Sequence, residues 1–476
     1  MVFSSTVFLF VFLPLVLVAY IGLPQRARNP LLLCASLFFY AWGETWIVLT
    51  LVGSILFNHA VGLRLDRTRS RRLLAFGVSA NLLLLGVFKY LDFLVENLNA
   101  ALAPLRGGEP LLPLPGIALP MGISFFTFQV VSYLVDIFRG GVRAQRNVLD
   151  FGLYVALFPQ LIAGPIVRYA EIAPQLRQRT LSFDACASGV GRFLVGLAKK
   201  MVLANLCSDL ADQVFAVDPQ LLGAPLAWVG VAALTLFIYF DFSGYSDMAI
   251  GLGRIFGFTI PENFAYPFVS RSIREIWSRW HLTLTRWFRD YLYIPLGGSR
   301  RGPARTYLNL VTVFVLCGLW HGASWNYVVF GLYHGVFLVL ERQRVLQVFR
   351  RLWRPLQHVY ALAVWMLGLA IFQTASLADA WTYLGALVGA NGVTSDVALL
   401  VRGDHRFALV AGALCSLPWV PALKNWLRTK SGSELGAGWF GVGLHAARVV
   451  ALLALFVLAC LQLAGGTHNP FLYFRF

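Results

Sequence analysis

Residues 310–322 read Leu310-Val-Thr-Val-Phe-Val-Leu-Cys-Gly-Leu-Trp320-His321-Gly322, an apolar run with no charge that closes on an imidazole. Together with Trp325 to Leu340 it predicts a pair of helices within a lipid bilayer. An ionisable group at that depth is costly to hold and by default marks a site. An imidazole ordinarily titrates near neutrality, so a histidine here can take a proton from a hydroxyl without a metal. Gly318, Gly322 and Ala323 leave room beside the ring for substrate or for a second helix. His334, in the following run, is a candidate partner of His321.

Upstream, Arg279-Trp280-His281 lies in a stretch of opposite character. Segment 271–305 carries eight arginines (271, 274, 279, 286, 289, 300, 301 and 305). It cannot span, because each would cost about 2.5–3.5 kcal/mol at mid-bilayer. Trp277, Trp280, Leu284 and Trp287 fall on one stripe if the segment is helical. That predicts an interfacial cytosolic helix with its rings among the lipid headgroups and its arginines in water. His281 is then either part of an anchor or part of a site.

Composition extends the membrane reading to the whole chain. Of 476 residues, 58% are hydrophobic and 13% charged, against about a quarter charged in soluble proteins. The fold class expected is all-α and polytopic, with apolar runs for about ten to thirteen spans. No linker divides the chain, so residues 1–476 are read as a single domain. The net charge of +17 comes from arginines in short clusters between apolar runs, the pattern of cytoplasmic loops and not of a nucleic-acid groove. Arg26 and Arg28, the stretch Arg64 to Arg72, Arg139 to Arg146, and Arg342, Arg344, Arg350, Arg351 and Arg354 are assigned to the cytoplasm, which puts the N-terminus outside. Ser4 to Leu23 reads as a retained first span. Phe151 to Pro165, short and flanked by basic residues, reads as a re-entrant or broken helix that faces protein or a cavity. The six cysteines show no paired or metal-ligand spacing, so no metal is expected.

Tyr239 to Asp247 (YFDFSGYSD) gathers two carboxylates and several hydroxyls. Either it breaks a helix and lines a cavity, with Asp241 and Tyr245 near substrate and Asp241 or Asp247 orienting a histidine or pairing with an arginine, or it caps the helix that follows. Lys89, Asp92 and Asp136 are read as snorkelling or structurally paired. There is no nucleophile elbow, P-loop, zinc-protease motif or complete dinucleotide fingerprint. A transporter with a histidine relay is the alternative class, weakened because no second copy of the Trp-His-Gly region appears.

The run Trp277 to Leu284, followed by Arg289 to Gly298 and Gly318-Leu-Trp-His-Gly322, resembles the membrane-bound O-acyltransferase family, and within it the branch concerned with alginate O-acetylation. Supporting stretches are the opening Met1 to Ser5, Leu161 to Arg168, Tyr239 to Gly253 and the closing Asn469 to Phe476. The resemblance implies a ring of tilted helices with re-entrant and interfacial elements around a central tunnel. It implies acyl transfer, with His321 as the catalytic histidine and His281 as the second. Trp320, Asp241, Tyr245, Arg279, Trp280 and His334 are expected around the substrate. It further implies a bacterial inner-membrane location and a cytosolic thioester donor, acetyl-CoA, as substrate and not as a bound cofactor. Periplasmic acetyltransferases or polysaccharide-modifying proteins are the partners expected besides membrane lipids. The acceptor implied is an exopolysaccharide such as alginate; peptidoglycan, cellulose and teichoic acid stay open.

Overall fold

The structure, a computed structural model, describes residues 1–105, 109–343, 351, 353–392, 400–431 and 439–466. Arg344, Arg350, His468 and the closing stretch Asn469 to Phe476 lie outside the described residues. Every regular element among the described residues is helical. Five helical stretches are long and apolar enough to cross a membrane: Gln25–Thr68, Arg71–Leu105, Ala224–Ile255, Arg354–Gln373 and Val442–Ala464. The protein is a multi-pass membrane protein.

Ala224–Ile255 is the structural axis, nearly all of it buried. It packs along a helix over 183–215, made of Phe183–Ala198, a π-turn Lys199–Ala204 and Asn205–Phe215. Glycines let the two backbones touch. A Cβ on Gly196 would meet the Gly244 carbonyl oxygen at 2.5 Å, and one on Gly189 the Gly251 oxygen at 2.7 Å. With so little side chain between them, the helices also bring charges into register. Lys200 pairs with Asp241 at 2.6 Å, and Lys199 and Arg192 each pair with Asp247 at 2.7 Å.

The pairing of Asp247 with an arginine agrees with one reading of 239–247, while the expected break and cap are both corrected. The helix neither breaks nor restarts there, because cations on the neighbouring helix neutralise both carboxylates in place. The expected broken helix near 151–165 is present. Val148–Ala156 ends at Leu157 and a single turn Phe158–Leu161 follows, with residues 151–161 buried in protein. The Ser36 hydroxyl accepts the Phe158 N–H at 3.0 Å, satisfying the backbone freed by the break.

The arginine-rich segment departs most from expectation. It is not one interfacial helix. Ile273–Trp277 stops, the chain turns through Ser278 to His281, and Leu282–Phe288 begins a new helix that runs into a π-turn Arg289–Tyr293. Trp277, Trp280 and Trp287 are buried against protein, not set among headgroups. Trp287 stacks on Phe128 with centroids 3.7 Å apart, and Trp280 meets Trp365 at 4.9 Å. The four residues are buried, but the break in the helix divides the expected stripe between two cores, Trp277 and Trp280 in one and Leu284 and Trp287 in the other.

Candidate functional site

Pro303–His321 and Trp325–Arg342 form a tight hairpin, and the small residues around His321 are what allow it. A Cβ on Gly318 would run into the Tyr327 carbonyl oxygen, one on Gly331 into that of Phe314, and one on Gly322 into the Tyr327 ring. Of the two roles open for these glycines, close approach of a second helix is the one they perform.

His321 is the last residue of its helix and half-buried. It lines a cavity of about 120 Å³ with Glu44, Lys89, Ser124 and the turn Leu119 to Ile123. One turn earlier on the same helix, Cys317 lines a separate, larger cavity of about 400 Å³. Trp277, Leu284, Phe288, Val313 and Phe314 give that cavity apolar walls, and Arg271, Arg274, Arg289 and Arg342 line it too. The last turn of the histidine helix therefore has at its tip a small cavity of mixed lining that holds Glu44 and Lys89, and at its flank a basic, apolar-walled one.

His281 is fully buried and is the N-cap of Leu282–Phe288. Its backbone is left-handed, φ 44° and ψ 55°, a strained choice for a residue with a side chain. Its Nδ1 lies 3.1 Å from Asn263 Oδ1. That oxygen also accepts from Thr283 N at 3.3 Å and Thr283 Oγ1 at 2.9 Å, while Asn263 Nδ2 donates to Ser246 Oγ at 3.3 Å. The Thr283 hydroxyl accepts in turn from Ile166 N at 2.9 Å, tying the irregular loop after Leu161 to the same point. The imidazole meets the Phe242 ring edge-on at 4.7 Å.

Trp320 joins the two histidines. Its ring centroid is 5.0 Å from that of His321 and 5.9 Å from that of His281. Phe125 and Phe128 pack on its other sides, at 5.3 and 5.7 Å. Residues far apart in sequence thus converge on one indole.

The remaining sequence candidates divide. Trp280 holds the approach to His281, packed on Phe264 at 5.0 Å. Arg279 pairs with Glu275 at 3.0 Å and donates to Ala265 O at 3.1 Å, beside a crevice that Arg271, Arg354 and His358 also line. His334 is buried among Trp277, Phe330 and Trp365; Phe330 lies between it and His321, 4.7 Å from the one ring and 6.2 Å from the other. It does not reach His321 as a direct partner. Asp241 and Tyr245 lie elsewhere, beside Lys200 and Ser4, with Tyr245 stacked on Phe3 at 4.7 Å. Stretch 239–247 reaches the histidines through Phe242 and Ser246 instead.

Sequence reasoning missed Asn263, which has no motif around it; of the two roles it left for Lys89, snorkelling or structural pairing, the structure shows the second. Lys89 donates to Trp320 O at 2.6 Å and His321 O at 3.1 Å. The available signal was its place deep inside the apolar helix Arg71–Leu102, too far from either end to be simply snorkelling. His405 meets the Asp209 carboxylate at 2.9 Å, which also pairs with Arg402.

Residues 121–376 match the model of the membrane-bound O-acyltransferase family. The chain is 40% identical to a probable alginate O-acetylase of Azotobacter vinelandii, with all of both chains covered. It is 37% identical to a peptidoglycan O-acetyltransferase of Helicobacter pylori, covering 83% of this chain and 81% of that one. A teichoic acid D-alanyltransferase of Bacillus subtilis is 27% identical over 46% of this chain and 58% of its own length.

Proposed function

The chain belongs to the membrane-bound O-acyltransferase family and is a membrane O-acyltransferase, and from that premise we propose that it moves acetyl groups from a cytosolic thioester to an exopolysaccharide such as alginate, in the bacterial inner membrane. The observation that carries the proposal is the pair of cavities meeting the last turn of one helix, the larger at Cys317 and the smaller at His321. The larger suits a thioester with a phosphorylated carrier arm: arginines for the phosphates and apolar walls for the arm. Acetyl-CoA is the simplest such donor.

In this reading His321 accepts the proton of the acceptor hydroxyl as the hydroxyl oxygen attacks the thioester carbonyl, and passes it to the thiolate that leaves as the C–S bond breaks. Alternatively, the ring nitrogen first takes the acetyl group with release of the thiol and then yields it to the acceptor oxygen, regaining its lone pair. His281, held by Asn263, steadies or relays a proton on the donor side, with Trp320 packed between the rings. Periplasmic acetyltransferases that finish transfer to polymer are the expected partners.

Peptidoglycan is the second reading for the acceptor, favoured by the Helicobacter relative. One experiment separates the two. Cells making the wild type or His321→Ala are compared for O-acetyl content of exopolysaccharide and of peptidoglycan, with membrane levels of the protein checked. The proposal expects exopolysaccharide acetate to vanish in the variant. Loss confined to peptidoglycan moves the acceptor; full acetylation with His321→Ala refutes the role of that residue.

A further inference from the structure

The last four carbonyl oxygens of an α-helix have no partner inside it. At the end of Pro303–His321 each has found one. Gly322 N donates to Gly318 O at 3.4 Å, and the Tyr90 hydroxyl donates to Leu319 O at 2.6 Å. The Lys89 ammonium donates to Trp320 O and to His321 O. Its third contact is the Ser124 hydroxyl at 3.4 Å, and it lies 6.0 Å from the Trp320 ring centroid. Two consecutive residues of one helix therefore bind the three carbonyls from which the histidine turn hangs. A cation there also complements the negative end of the helix dipole.

A lysine deep in an apolar helix is expensive unless its donors are used. Here they are spent on backbone that carries His321, not on a carboxylate. We propose that Lys89 and Tyr90 are positioning residues for acyl transfer, fixing the direction in which the His321 ring leaves its helix. The inference rests on the reading of His321 as the transfer histidine. Neither residue need touch the donor, so their loss should slow turnover without weakening donor binding.

The test uses the full-length protein in detergent or nanodiscs, with acetyl-CoA as donor, comparing Lys89→Met, Lys89→Arg, Tyr90→Phe and His321→Ala. For Lys89→Met the expected result is a kcat lower by about a hundredfold per folded molecule, the scale of an ångström of misplacement, with donor KM little changed. Lys89→Arg, which keeps the donors, should recover most of that loss, and Tyr90→Phe should lie between. Hydrogen–deuterium exchange over 318–324 should accelerate in Lys89→Met and not in Lys89→Arg. Wild-type turnover in Lys89→Met, with His321→Ala inactive, overturns the inference and leaves the function standing. If the wild type transfers no acetyl group, the functional reading fails, and unchanged exchange in both Lys89→Met and Tyr90→Phe still sinks the inference. Should Lys89→Met fail to fold, the kcat and exchange of Tyr90→Phe decide.

Discussion

His281 and Asn263 form a fixed pair whose hydrogen bond can run only one way. Asn263 Oδ1 already accepts both donors of Thr283, so the atom facing Nδ1 is an acceptor and Nδ1 must carry the proton. That leaves Nε2 with its lone pair, buried and without a protein partner among the described residues. A ring oriented in this way by a second group is arranged for proton work.

Asn263→Ala should therefore lower acetyl transfer per folded molecule by about tenfold to a hundredfold, the usual loss when the group orienting a functional imidazole is removed. Asn263→Asp keeps the acceptor and should retain more activity than the alanine variant. Equal activity in wild type and Asn263→Ala would remove His281 from the mechanism.

The larger cavity makes a steric prediction. Val313 faces it from the histidine helix, one turn before Cys317. Val313→Trp should raise the donor KM several-fold, with the folded yield and the smaller cavity unaffected. A selective fall in acceptor use instead would reverse the assignment of the two cavities.

Lys200 and Asp241 are almost wholly buried, at 3% and 1% exposed. Removing one member of such a pair strands the other, typically at a cost of about 3–5 kcal/mol. Lys200→Met should sharply reduce the thermal stability or membrane yield, and Lys200→Met with Asp241→Leu should recover much of it. A double variant less stable than either single one would show that the charges themselves are required.

Asp290 gives a pH dependence on the basic face. Burial by itself raises its carboxyl, but hydrogen bonds from Arg289 and Arg168 outweigh that and hold it below the usual carboxylate range. A depressed carboxyl contributes stability above its unfolded value and loses it as pH falls through the folded one. Asp290→Asn should destabilise the protein by on the order of 1 kcal/mol at pH 7, and the gap to wild type should close as the medium is acidified below the carboxylate range. A gap that stays constant with pH would mean the loss is one of packing.

The parts of this protein that were legible in its sequence depend on neighbours along the chain. Gly318, Gly322 and the uncharged run before His321 announce a tight helix end, and the short run closing in Ala163-Gly164-Pro165 announces a broken helix. The parts that were not legible depend on distant partners. Periodicity assigns Trp277, Trp280 and Trp287 to one face but cannot say whether protein or lipid covers it, nor that His281 turns left-handed between two helices. Asp241 and Asp247 look like a break because their counter-charges, Lys200, Lys199 and Arg192, sit on another helix. Asn263 and Lys89 owe their meaning to His281 and to the end of another helix; Asn263 carries no local mark, and the depth of Lys89 in an apolar helix marks it without naming its partner.

The helix that bears Lys89 and Tyr90 has only 17% of its most apolar window inside the protein. Few of its residues are wholly enclosed by protein, so its tilt should answer to the thickness of the bilayer. Turnover should then vary with lipid chain length at fixed donor concentration, and the solvent chosen for reconstitution becomes a silent reagent in any assay of this enzyme.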